Sequence, residues 1–240
     1  MERRHEVTRL EGFSDAVFGF ALTLLVVSLE VPGDVYALIN NMRGFLPFAL
    51  MFAMICWIWY EHQKFFRRYG LQDAWTITIN SVLLFVVLFY VYPLKYLTIH
   101  LVGPLSGMVD PATGQPITSG MERGDLIMMM YSIGVVLIFG SFVAFYRHAW
   151  RHRERLNLNA HEVIDLRFEM FGHMISAGLG LASIALVLIA QHNEKWNLVV
   201  FAGVVYALMG PLHGIKGYMA GQAHATLRKN ETAPITDAKR

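Results

Sequence analysis

Long runs of apolar residues separated by short polar segments dominate the chain. Six of these runs approach the ~20 residues that an α-helix needs to cross a hydrocarbon core about 30 Å thick. The pattern therefore predicts an all-α, polytopic membrane protein with six transmembrane helices in residues 1–215, followed by a polar cytoplasmic tail, 216–240. The predicted spans are about 11–30, 44–61, 75–94, 126–147, 170–191 and 197–214.

Composition agrees with a membrane protein. Of the 240 residues, 55% are hydrophobic and only 16% are charged, whereas soluble domains carry roughly 25% charged residues. The mean hydropathy is +0.42. Cys56 lies in an apolar run and is the only cysteine, so the chain cannot form an intrachain disulfide. The first apolar run is too long for a signal peptide and lacks a small-residue cleavage site, so we interpret it as a retained span.

The distribution of basic residues predicts the orientation. If the N-terminus is inside, 16 of the 20 Lys and Arg residues fall in inner segments. The four outer ones are Arg43, Lys95, Arg123 and Lys195. By the positive-inside rule, both termini face the cytoplasm of a cell with this protein in its plasma membrane. The basic run at 147–155 is then the inner collar of the fourth span, and no nucleic-acid partner is expected.

The first apolar run begins with charged and polar residues, and its helical faces differ. At about 100° per residue, Phe13, Phe20, Leu24 and Val27 fall on one bulky apolar stripe. Asp15 falls on the opposite side. A buried carboxylate there needs hydrogen-bond donors, for which residues of other helices are candidates. The periodicity alone leaves open whether the stripe contacts lipid, the protein core or a pathway.

A second strip on the same helix carries only small side chains. It consists of Gly12, Ala16, Gly19 and Thr23. Such strips allow the backbone of a neighbouring helix to approach closely.

Two other functional classes stay open at this level. Asp15 or Glu30 could carry protons in a coupled transporter, since an ionisable residue in a span is a functional candidate. His62, His173 and His213 lie near span ends and could ligate haem in a b-type cytochrome. The sequence contains no nucleophile–base or phosphate-loop pattern that would indicate an enzyme.

A weaker metal pattern lies in the basic collar. His148 and His152 have the i, i+4 spacing of a metal pair, but no carboxylate in the sequence is placed to help them. We expect no metal site and no cofactor.

The stretch Arg9-x-x-x-Phe13-Ser14-Asp15, followed by Ala-Val-Phe-Gly-Phe-Ala-Leu-Thr-Leu-Leu-Val, resembles the signature of the transmembrane protein 175 family, prokaryotic relatives of the lysosomal potassium channel. The second span ends in a pattern similar to that family's Trp-x-x-His-x-x-x-Phe, with Trp59 and His62. Asn80 near the start of the third span also fits. The resemblance extends over the six-span body.

This resemblance implies a homotetrameric, potassium-permeable leak channel. The first helices of four subunits would line the pore, and rings of apolar side chains would form its constriction instead of a Thr-Val-Gly-Tyr-Gly filter. By position, these rings correspond to Phe20, Leu24 and Val27, although the family typically has isoleucine at the first of them. Thr23 and Ser28 supply the hydroxyls nearest the stripe and are candidates for ion contact.

The resemblance assigns a structural role to the polar motif. Arg9, Phe13, Ser14 and Asp15 would tie the first helix to its neighbours, with Trp59, His62 and Asn80 as their partners.

Overall fold

The computed structural model describes residues 7–27, 32–110, 113–117, 123–195 and 197–232. These residues are almost entirely helical. The helices are α1 (Arg9–Val27), α2 (Val35–Arg43), α3 (Phe45–Tyr69), α4 (Ala74–Val102), α5 (Gly124–Arg151), α6 (Ala160–His192), α7 (Asn197–Val204) and α8 (Met209–Thr232).

In the described residues, six helical stretches are long and apolar enough to cross a membrane. Five of them are built on α1, α3, α4, α5 and α6. The sixth runs over Asn197–Glu231 and joins α7 to α8 through a 3₁₀ turn, Val205–Leu208. The prediction of an all-α, multi-pass membrane protein with six spans is therefore confirmed.

Two features differ from the sequence-based picture. The short helix α2, between the first and second spans, was not predicted, because nine residues are too few to stand out as an apolar run. The segment from 216 onward is predicted from the sequence as a tail outside the six spans, whereas in the structure α8 continues through it as a helix to Thr232. Residues 233–240 lie outside the described part of the chain.

Local sequence signals set several helix ends. Asp73 caps α4, since its Oδ1 accepts a hydrogen bond from the Thr76 amide at 2.8 Å. Its Oδ2 lies 2.6 Å from Nε2 of His148 on α5, which joins two spans at one end of the bundle. Burial alone raises the pKa of Asp73, but the hydrogen bonds with His148 and Thr76 outweigh it and lower the pKa below its ordinary 3.8.

Aromatic side chains fill the core where α3 and α5 meet. Phe65, Phe66, Phe142, Phe145 and Tyr146 are each less than 2% exposed. Their rings meet in edge and tilted arrangements, the geometries that aromatic pairs prefer.

Close contacts between helices depend on one glycine in α5 and one in α6. A Cβ at Gly134 would collide with the ring of Tyr90 on α4, and a Cβ at Gly180 would come 2.8 Å from Val136. Small residues at membrane helix interfaces allow such close approach. As a result α5 packs against both α4 and α6, and α1 packs against α3 and α4.

Candidate functional site

The helix α1 begins with a reciprocal cap. The Thr8 amide donates to Glu11 Oε2 at 2.7 Å, and the Glu11 amide donates to Thr8 Oγ1 at 3.2 Å. This is a capping box, which satisfies two otherwise free amides at a helix start. The spacing of Thr8 and Glu11 is visible in the sequence and would have placed the beginning of α1 at Arg9.

One face of α1 is buried against the rest of the subunit. It is formed by Glu11, Ser14, Phe18, Ala21 and Leu25. Their spacing of three, four, three and four residues is that of one helix face. Leu10, Val17 and Leu22 flank this face and also pack against the core, whereas the exposed residues of α1 point away from it.

Three helices are joined by a chain of buried hydrogen bonds. His62 Nε2 of α3 lies 2.8 Å from Asn80 Oδ1 of α4. The Asn80 amide donates in turn to Ser14 Oγ at 2.9 Å, and the Ser14 hydroxyl donates to the Leu10 carbonyl at 2.8 Å. His62, Asn80 and Ser14 are each at most 1% exposed. Since the amide oxygen accepts from His62, this ring carries its hydrogen on Nε2.

Asp15, next to Ser14 in the sequence, binds α3 directly and not α4, at the edge of the same contact. The Trp59 indole of α3 donates to Asp15 Oδ1 at 2.7 Å. Asp15 itself is exposed, so its carboxylate lies beside the subunit's buried face, not within it. The structure thus brings together Ser14, Asp15, Trp59, His62 and Asn80, residues from three spans.

The other two motif residues lie apart from this network. Phe13 is 60% exposed. Arg9 is exposed, and in the part of the chain that the structure describes its side chain forms no hydrogen bond or ion pair. Its structural role stays a prediction.

The apolar stripe of α1 lies on the outer surface of the subunit. Phe20 is 56% exposed and Val27 is 77% exposed, while Leu24 is partly buried. Thr23 is also exposed, and its hydroxyl donates to the Phe20 carbonyl at 2.7 Å. Ser28, the second candidate hydroxyl, lies outside the described residues.

A second polar cluster joins α3, α6 and α8 and was missed by the sequence analysis. Lys64 lies 2.7 Å from Glu61 and 3.3 Å from Glu169, and Lys216 lies 3.1 Å from the other oxygen of Glu169. The four residues come from three distant parts of the chain. Only the i, i+3 pair Glu61–Lys64 could have been read from the sequence.

This cluster contains a possible set of metal ligands, but lysines already neutralise the charge of its carboxylates. Ligand atoms of Glu61, Glu169 and His173 lie within 4.8 Å of one another. Two ammonium groups are paired with the two carboxylates, so a divalent cation would have to displace Lys64 or Lys216. We therefore interpret the cluster as an ion-pair network between helices.

Of the histidines considered for haem, His62 and His213 have hydrogen-bond partners, whereas both ring nitrogens of His173 are buried without one among the described residues. His62 Nε2 is bound to Asn80, and His213 Nε2 lies 3.0 Å from the Ser176 hydroxyl. The ring of His173 lies 4.8 Å from that of Phe142, with the planes 19° apart.

Both histidines of the basic collar have partners, and one of these is a carboxylate, contrary to the sequence-based expectation that none assists them. His148 is bound to Asp73, and His152 Nδ1 is bound to the His148 carbonyl.

Comparison with known proteins identifies the family. Residues 9–90 match the family model described as "Endosomal/lysosomal potassium channel TMEM175". A protein named potassium channel from Marivirga tractuosa is 36% identical over 213 residues, which are 88% of this chain and 86% of that protein. A potassium channel from Chamaesiphon minutus is 34% identical over 107 residues, which are 41% of this chain and 53% of that protein.

A solved structure is similar over nearly the whole chain. The crystal structure of a variant of the potassium channel MtTMEM175, in complex with a nanobody–MBP fusion, has a TM-score of 0.79 and 33% identity. The match covers 92% of this chain and 97% of that one. From the sequence matches and this structural similarity together, we conclude that the chain belongs to the TMEM175 family, a family of membrane channels and not of enzymes.

Proposed function

We propose that this protein is a potassium-permeable leak channel, a homotetramer in which α1 of each subunit lines a central pore. In this proposal, four copies each of Phe20, Leu24 and Val27 form apolar rings that act as constriction and gate. The protein sits in the plasma membrane of a prokaryotic cell with both termini inside. The named relatives are potassium channels, which favours potassium as the permeant ion.

The observation that carries the proposal is the two-sided character of α1. Its polar network holds one face firmly against α3 and α4, and its bulky apolar stripe faces away from the subunit. The first two of the proposed rings are about one helical turn apart, because Phe20 and Leu24 are four residues apart. A stripe held in this way can meet its symmetry copies around an axis without unpacking the subunit.

The small strip beside the stripe supports contact between subunits. In the described residues, a Cβ added at Gly12 or Gly19 would meet no atom within 4 Å. No described helix of the same subunit therefore fills the space over these two glycines, although small strips permit close helix approach. A neighbouring copy of the chain is the partner that a tetrameric pore supplies.

The proposed gate works by excluding water. A narrow ring of apolar side chains dewets, and an ion crosses only when the ring widens. Phenylalanine at the first ring adds aromatic faces, which attract a cation through the ring quadrupole. Thr23 has already donated its hydrogen to the Phe20 carbonyl, so its oxygen retains lone pairs for a passing cation.

The gate is tested by Phe20→Ala in planar-bilayer recordings of purified protein. We expect a larger potassium current, since truncation widens the first ring. Phe85→Ala is the matched control, because Phe85 of α4 is 68% exposed and plays no part in the proposed pore. Equal currents from wild type and Phe20→Ala would place the constriction elsewhere.

The ion is tested separately by reversal potentials with potassium on one side and sodium on the other. A shift toward the potassium equilibrium potential is expected. A reversal potential of zero would refute a potassium-selective channel while leaving a cation channel in place.

A further inference from the structure

A pair of histidines joins the first turn of α6 to the last turns of α8. His161 Nδ1 and His224 Nδ1 are 2.9 Å apart. The two ring planes differ by only 12°, and their centroids are 5.1 Å apart. At this nitrogen separation, that centroid distance places the rings nearly edge to edge, so the two Nδ1 atoms point at each other.

Carboxylates lie at the far nitrogens of both rings. His224 Nε2 is 2.7 Å from Asp165 Oδ1, and the other oxygen of Asp165 accepts from Arg68 at 2.8 Å. His161 Nε2 is 3.5 Å from Glu231 Oε2. An ionised carboxylate can only accept hydrogen bonds, so it favours the tautomer with the hydrogen on Nε2. In that tautomer each Nδ1 keeps its lone pair.

Two lone pairs facing each other at this distance repel unless a hydrogen or a metal ion lies between them. Without a metal, one ring must give up its preferred tautomer and donate an Nδ1 hydrogen to the other, which forms the 2.9 Å hydrogen bond. Histidine held by a carboxylate at its far nitrogen is the usual arrangement around protein-bound transition metals, where the carboxylate orients the ring and raises its basicity.

We propose that His161 and His224 bind a divalent transition metal ion of the zinc class through their Nδ1 atoms. Asp165 and Glu231 orient the rings, and water completes the coordination. Imidazole donors select zinc, copper and nickel over potassium, magnesium or calcium. The inference is independent of the pore proposal, because it concerns only the contact between α6 and α8.

The geometry requires a small adjustment. Two imidazole nitrogens on a tetrahedral zinc ion, each about 2.0–2.1 Å from the metal, are about 3.3 Å apart. The rings must therefore separate by about 0.4 Å and tilt so that both lone pairs converge. Solvent can reach the site, since the side chains of His161 and His224 are 36% and 23% exposed.

The site also has a structural consequence. His161 and His224 are 63 residues apart in the sequence. A bound metal would clamp the end of α8 to the first turn of α6.

The test is Zn²⁺ affinity of the full chain in detergent, without a polyhistidine tag, measured by competition with a chromogenic chelator. We expect one site whose affinity falls at least ten-fold in both His161→Gln and His224→Gln. Asp165→Asn keeps both rings but removes the orienting charge, and loss of such a partner lowers metal affinity about 10–100-fold. His152→Gln, in the other histidine pair, is the matched control and should bind as wild type does.

A spectroscopic measurement on the wild-type protein avoids dependence on variants that fold poorly. One equivalent of Cu²⁺ should give an electron paramagnetic resonance spectrum with superhyperfine splitting from two imidazole nitrogens. A spectrum without two coupled nitrogens, or Zn²⁺ affinity unchanged by both histidine substitutions, would overturn the proposal.

Discussion

The hydrogen bond from Asn80 to Ser14 provides a sharp test of how α1 is held. Ser14 and Ser81 form a matched pair, because each hydroxyl donates to the carbonyl four residues earlier in its own helix, at 2.8 Å and 2.9 Å. Only Ser14 also accepts a hydrogen bond from another helix. Comparing Ser14→Ala with Ser81→Ala therefore isolates the bond between helices.

The expected magnitude follows from burial. In Ser14→Ala, the Asn80 amide keeps no acceptor at this position, and a buried donor left unsatisfied costs about 1–3 kcal/mol. Hydrogen bonds between membrane helices average about 0.6 kcal/mol and reach about 1.7 kcal/mol. We expect Ser14→Ala to lower the free energy of unfolding by about 1–2 kcal/mol. Ser81 is exposed, and its substitution should cost less than about 0.5 kcal/mol.

The assay is unfolding by SDS in mixed detergent micelles, followed by far-ultraviolet circular dichroism. A double-mutant cycle adds Asn80→Ala. On that background the donor to Ser14 is gone, so Ser14→Ala should cost no more than Ser81→Ala does in the wild-type background.

Either of two outcomes would contradict a stabilising bond between Asn80 and Ser14. Equal losses from Ser14→Ala and Ser81→Ala would mean that the bond between helices adds nothing to stability. Undiminished loss from Ser14→Ala on the Asn80→Ala background would mean that Ser14 acts through another contact.

Three further predictions test the packing, the assembly and the pH dependence. Gly134→Ala should lower the free energy of unfolding by about 1–3 kcal/mol through collision with Tyr90, whereas Gly140→Ala, with open space around it, should cost less than about 0.5 kcal/mol in the same SDS titration. In a cysteine-free background, Val27→Cys should give disulfide-linked dimers on non-reducing gels after mild oxidation, because the proposed rings bring these residues together around one axis. Asp73→Asn should be less stable than wild type near pH 7, and the difference should close as the pH falls below about 4 in thermal melts.

The controls for these predictions follow from the same structure. Val82 of α4 is 45% exposed but lies outside the proposed pore, so Val82→Cys should stay monomeric on the same gels. The sign for Asp73 follows from its lowered pKa: the ionised carboxylate stabilises the fold above its ordinary pKa, and that stabilisation disappears on acidification. A gap between wild type and Asp73→Asn that persists at pH 2 would contradict this reasoning.

The class of the protein and the layout of its spans could be predicted from the sequence. Apolar length is a local property, since about 20 residues must satisfy the membrane whatever they pack against. Helical periodicity is local as well, and it separated Asp15 from the stripe of Phe20, Leu24 and Val27. The Thr8–Glu11 cap was equally readable, because the pattern fixes the hydrogen bonds within one turn.

Which helix faces are covered, and which distant side chains meet, depends on the tertiary structure. Periodicity could not say whether the stripe contacts lipid, core or a pathway, and packing against α3 and α4 left it outside the subunit's core. Ser14 and Asn80 are 66 residues apart, and His161 and His224 are 63 residues apart. Such contacts depend on how whole helices cross and on their relative depth in the membrane, and no local pattern encodes either quantity.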